Sequence, residues 1–171
     1  MRTKTAAFVL GLLLALVVPV AAIDVPQSRK EFVQAVSEGR GATKMETLTS
    51  ENGLDRLYAL LEKKSSACLD KEVRRSGYVG YHEVSSSDYN PSLKRVGGSK
   101  AEFSLQVVHR PRGVGHTPPP GGLYIMAADL KSVGKNRTQV VLYEPTIGFK
   151  NIAKTLRLWL EGEDADCPKL K

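Results

Sequence analysis

Four segments in the second half of this chain follow a two-residue periodicity, and no helical crossover lies between them. Residues 78–84 are aromatic and β-branched. Residues 101–109 alternate, with Phe103, Leu105 and Val107 set against Glu102, Ser104 and Gln106. Residues 123–130 are apolar on both faces, which suits a central strand. Thr138, Val140 and Leu142 alternate with Gln139 and Val141. Parallel neighbours need a long crossover, usually a helix, so strands in such a series are expected to pair antiparallel. The connection over residues 85–100 is polar and carries Asn90-Pro91 and Gly97-Gly98. It reads as a long turn with a minor strand at residues 93–96.

Helical periodicity brackets this region. Ser28 and Glu31 form a Ser-x-x-Glu capping box ahead of Phe32, Ala35 and Val36, which predicts a short helix over 28–38 stopped by Gly39. Leu54, Leu57, Tyr58 and Leu61 fall at i, i+3, i+4 and i+7, which predicts a second helix capped by Asn52 and ending near Ser66, with Cys68 just beyond it. Between them, Met45-x-Thr47-x-Thr49 is compatible with a weak strand. The strongest stripe comes last: Phe149, Ile152, Ala153, Leu156, Trp159 and Leu160 share one helical face, and Gly162 ends it. The order is helix, weak strand, helix, four strands, helix. The expected fold is therefore α+β. An antiparallel sheet of four to five strands is packed on one face by a helix from the N-terminal half and by a long C-terminal helix.

The first residues read as an address rather than as structure. Arg2 and Lys4 precede an apolar run over residues 6–18, Pro19 breaks it, and Val20 and Ala22 place small residues before a cut at Ile23. This is the charged, apolar, small-residue order of a secretory signal over residues 1–22. The run is shorter than the ~20 residues a bilayer core needs, although an uncleaved N-terminal anchor is the alternative. Residues 23–171 are then one exported domain, periplasmic or secreted, whose formal charge falls from +7 to +5 once Arg2 and Lys4 leave. Cys68 and Cys167 are the two cysteines, and outside the cytosol such a pair is most simply a disulfide. It would close a loop of roughly 100 residues, contributing about 4–5 kcal/mol in the chain-entropy view. It would also draw together the C-terminal ends of the second and last helices. A redox pair would want the Cys-x-x-Cys spacing that is absent here.

A sheet gripping a C-terminal helix, with a further helix after the first strand, resembles the helix-grip architecture. START-type lipid-transfer domains and the pollen-allergen family have it, and the domains of a lipoprotein subunit of the outer-membrane β-barrel assembly machinery are a related arrangement. Leu158-Trp159-x-x-Gly162 followed by Cys167-Pro168, with Cys68-Leu69 after the earlier helix, is similar to small exported bacterial proteins of undefined function. The resemblance covers most of residues 43–168, and the chain departs from the assembly lipoproteins in lacking a lipid-attachment cysteine. A fold of this kind does not by itself assign a function.

Candidate chemistry is sparse. Residues 110–122 hold four prolines and four glycines between two strands, which makes either an exposed hairpin loop or a lid or partner-binding arm. The Gly-Lys-Ser/Thr of a phosphate loop is missing. His82, His109 and His116 lack metal-site spacing. Gly-x-Ser-x-Gly is absent, and the run Ser85, Ser86 and Ser87 implies no base. The acidic tail at Glu161, Glu163, Asp164 and Asp166 lacks a calcium-loop pattern. No motif asks for a metal or a cofactor, and no catalytic residue is assigned. Asn136-Arg137-Thr138 is a glycosylation acceptor in a eukaryotic pathway. Basic residues collect at Lys71, at Lys94 and Arg95, and at Arg74, Arg75, Arg110 and Arg112, with His116 nearby. They are candidates for an acidic protein, an anionic surface or a cell-wall polymer, or else they are scattered solvated charge. No aromatic ladder points to nucleic acid.

The expected role is non-enzymatic binding in the bacterial envelope, of a small apolar ligand or of a protein partner. The ligand would sit between the sheet (Phe103, Leu105, Val107, Leu123, Ile125) and the last helix (Phe149, Ile152, Leu156, Trp159), unless these residues simply fill one another's space. The alternatives are an envelope scaffold without a pocket and a hydrolase whose residues the sequence does not assemble.

Overall fold

A computed structural model describes residues 25–76, 84–110 and 117–170. The export signal, most of the strand candidate at 78–84, His82, Arg112 and His116 lie outside the described residues. The element order is α1 (Arg29–Ser37), β1 (Thr43–Ser50), α2 (Leu54–Cys68), β2 (Lys71–Ser76), β3 (Val84–Arg95), β4 (Lys100–Arg110), β5 (Leu123–Gly134), β6 (Arg137–Pro145) and α3 (Lys150–Glu161). The strands form one antiparallel sheet in the order β1-β6-β5-β4-β3-β2. The last strand thus returns to lie beside the first, and α2 carries the chain from one sheet edge to the other.

The sheet has six strands, not four to five, and the region expected to turn at residues 85–100 is largely β3. Its inward residues Tyr89, Pro91 and Leu93 pair with Val107, Leu105 and Phe103 of β4. Pro91 is tolerated because β2 ends at Lys71, opposite Tyr89. Beyond that point β3 is an edge strand, where a proline is permitted. β2 escaped notice because Val73 is its one apolar residue among charges, a composition that suits an edge.

α2 and α3 pack on one face. Leu57, Leu61 and Cys68 from α2 and Leu156, Trp159 and Leu160 from α3 join Phe103, Leu105, Leu130, Val140 and Leu142 in a single core. Side chains alternate across a strand. Val141 and Tyr143 therefore face the other way, and there they meet Phe32 and Val36 of α1. The second face is thus also partly covered. Ser28 Oγ accepts from the Glu31 amide at 3.2 Å, and the Glu31 carboxylate accepts from the Gln27 amide at 2.7 Å, which starts α1. Arg29 then reaches the sheet, donating to the Ala128 carbonyl at 2.9 Å and pairing with Asp129.

α2 is capped by Gly53 rather than Asn52, and it runs through Cys68 because Ser65 and Cys68 continue its buried stripe. A β-carbon on Gly53 would lie 2.6 Å from the Lys135 carbonyl oxygen, so glycine is what lets the β5–β6 turn approach. α3 ends at Gly162 in the left-handed region, φ 98°, against Asn52 at the start of α2. The two helices are therefore antiparallel, and their C-terminal ends lie apart. The disulfide joins Cys68 and Cys167, with Cα atoms 5.2 Å apart, by another route than expected. The tail after Gly162 runs back along α2: Lys64 Nζ donates to the Ala165 carbonyl at 2.7 Å, and Trp159 Nε1 to the same oxygen at 2.9 Å. Among the described residues, no helix is long and apolar enough to cross a membrane.

Candidate functional site

The tail's return delivers Lys169 to the N-terminal end of α3, beside a groove of about 510 Å³. That volume lies within the range of small-molecule sites. One wall is the opening of α3, from Gly148 through Phe149, Lys150 and Asn151 to Ile152. The other wall is the end of the sheet, with Arg75, Tyr89 and His109.

Strand register explains the sheet side. Lys71 pairs with Tyr89, so Val73 and Arg75 share the helix-covered face with Tyr89, while Arg74 points away. Ser87 pairs with His109 on that same face, and Ser87 Oγ lies 2.9 Å from His109 Nδ1. Tyr89 and Ile152 are 1% and 3% exposed, so they form the buried floor, and Arg75, His109, Lys150 and Lys169 are exposed above it.

The helix side is unusual in its backbone. Phe149 is the N-cap of α3 and sits at φ 36°, ψ 18°, the one non-glycine residue with positive φ among those described. Such a conformation costs on the order of 1 kcal/mol or more and persists where packing enforces it. Phe149 offers no side-chain cap, so the first amides of α3 begin at the groove without one.

Of the nine residues expected to line a ligand space, the structure brings Phe149 and Ile152 to this groove. Phe103, Leu105, Leu156 and Trp159 are 0% exposed and Val107 is 1%. No water-sized space adjoins them, and they pack as core. Ile125 belongs to the same core and Leu123 packs against it. The basic residues separate. Arg74 pairs with Glu72 at 2.9 Å and Arg110 with Asp88 at 2.8 Å on the opposite sheet face, whereas Arg75 faces the groove. The Pro/Gly segment's described part is pinned to that opposite face. Gln106 Nε2 donates to the Pro120 and Gly122 carbonyls at 2.9 and 2.8 Å, and Asn90 Nδ2 to the Gly121 carbonyl at 3.0 Å.

Tyr89, Lys150, Asn151 and Lys169 were not singled out from sequence. The alternation Tyr89-x-Pro91-x-Leu93 was the available signal for Tyr89. Lys169 carries none, because its place depends on the path of the tail.

The Ser87–His109 pair has the distance of a nucleophile and base, but a hydrolytic triad also needs an acid that orients the imidazole. The neighbouring Asp88 lies on the other face with Arg110. No metal-holding group of His, Cys, Asp and Glu occurs among the described residues. No protein-family model matches the chain, and no curated protein matches it in sequence.

Proposed function

We propose that this chain is an exported, non-enzymatic binding protein of the bacterial cell envelope that holds a small ligand at the head of α3. The observation that carries the reading is the groove itself: a concave site with a buried apolar floor of Tyr89 and Ile152, flanked by Phe149 and cationic side chains. Concave, mostly apolar sites with a few polar groups are where small ligands bind. The charged, apolar, small-residue order of residues 1–22 supports export. So does a long-range disulfide, which persists in oxidising compartments. The return of β6 beside β1, with α2 spanning the sheet and α3 clasped against it, supports a helix-grip kinship.

The test is a variant that fills the groove without touching the core. Asn151 lies on its wall and is exposed. Asn151→Trp is expected to abolish single-site binding of an apolar fluorescent dye while shifting the unfolding midpoint little. Dye bound equally by the variant, or by neither protein, would sink the proposal.

A second reading rests on the Ser87–His109 contact, as a hydrolase acting at the same groove. Turnover of an acyl ester that disappears in Ser87→Ala would favour it over simple binding.

A further inference from the structure

The groove's charge goes beyond what a purely apolar ligand requires. Elsewhere most of the described basic side chains with an ordered contact face carboxylates: Arg29 meets Asp129, Lys64 meets Asp164, Arg95 meets Asp55 at 2.5 Å, and Arg157 meets Glu144 at 2.6 Å. Arg75, Lys150 and Lys169 have no carboxylate partner among the described residues, although three separate elements bring them to one concavity. No described residue lining the groove is acidic. A second groove at the opposite end of the sheet, by contrast, mixes Glu51 and Asp55 with Arg56 and Lys135.

Holding like charges together is unfavourable unless an anion joins them. The start of α3 adds to the same field, because a helix N-terminus carries roughly half a positive charge. The opposite wall is apolar, and a bare inorganic anion would leave Phe149 and the buried floor facing water.

We infer that the groove takes an amphiphile ending in an anion, a short acyl carboxylate or an alkyl phosphate. The charged end sits among Arg75, Lys150 and Lys169, and the chain lies along Tyr89, Phe149 and Ile152. This rests on the small-ligand reading above and names its ligand class.

The test is calorimetric titration of the full chain, expressed through a secretory route with the disulfide intact, against octanoate, octyl phosphate, neutral octyl glucoside and inorganic phosphate. The two anionic chains are expected to bind about tenfold or more tighter than the glucoside, the size of one charge-assisted hydrogen bond. Their affinity should fall with added salt. The exposed-site variant Arg75→Gln with Lys150→Gln should remove most of that advantage and leave the glucoside's affinity unchanged. Glucoside bound as tightly as octanoate, or the variant binding octanoate like the parent, overturns the inference and leaves the small-ligand reading standing. Inorganic phosphate bound as tightly as octyl phosphate identifies a free anion and overturns the amphiphile. Failure of every probe overturns both readings.

Discussion

At the scale of single residues, the face covered by α1 holds a small polar network inside an apolar patch. Tyr143 is 6% exposed and donates its hydroxyl to Asp129 Oδ2 at 3.0 Å, while Arg29 pairs with the same carboxylate. Burial, and then the neighbouring Asp129 charge, push the Tyr143 phenol up to about 12. The folded state therefore favours the neutral phenol. That contribution is complete below the ordinary tyrosine value of about 10, where both states hold the proton. It is lost as pH rises from there through the folded value of about 12. Denaturant midpoints measured across that window are expected to fall, and Tyr143→Phe should flatten the fall. A parent midpoint that holds steady would contradict the burial of this hydroxyl. On the other face, Glu144 is 1% exposed between Lys44 at 2.8 Å and Arg157 at 2.6 Å. The Glu144 hydrogen bond holds the Lys44 ammonium above the usual lysine range.

At the scale of elements, α3 was the most legible and β3 the least, and the reason lies in what each buries. The α3 stripe repeats over three turns, and Ile152, Ala153, Leu156, Trp159 and Leu160 are all buried as that stripe requires. Trp159→Ala should cost about 3–5 kcal/mol in a denaturation experiment, the range for emptying a packed aromatic site. A cost below ~1 kcal/mol would mean that the space beneath the helix is not filled. β3 has one apolar face and one polar face, and its outward residues Ser86, Asp88, Asn90, Ser92 and Lys94 gave the segment the composition of a loop. Asn90-Pro91 read as a turn because local chemistry cannot show that β2 stops before it. α1 was found from its cap and spacing, but which sheet face it would cover was not, since that depends on Phe32 meeting Tyr124 at 6.1 Å across the fold. The groove lay beyond sequence for the same reason. Its walls come from β2, β3, β4, the head of α3 and the tail, and chain order alone does not juxtapose them.

At the scale of the whole molecule, α2 and the tail form a strap across the sheet, closed by the cystine. The bridge spans 99 residues. In the chain-entropy view it contributes about 4–5 kcal/mol by restricting the unfolded chain. Cys68→Ser with Cys167→Ser is therefore expected to lower the urea midpoint without altering the helix and strand content. A midpoint unchanged from the parent would show that the bridge restricts little.

The same bridge gives the acidic stretch between Gly162 and Cys167 a property that an ordinary C-terminus lacks. A protease that cuts the exposed backbone at Glu163 or Asp166 severs the polypeptide but releases nothing. The last residues, Lys169 among them, stay fastened to the end of α2 through sulfur. The cationic groove thus survives a nick that would strip a free tail, for as long as its surroundings stay oxidising.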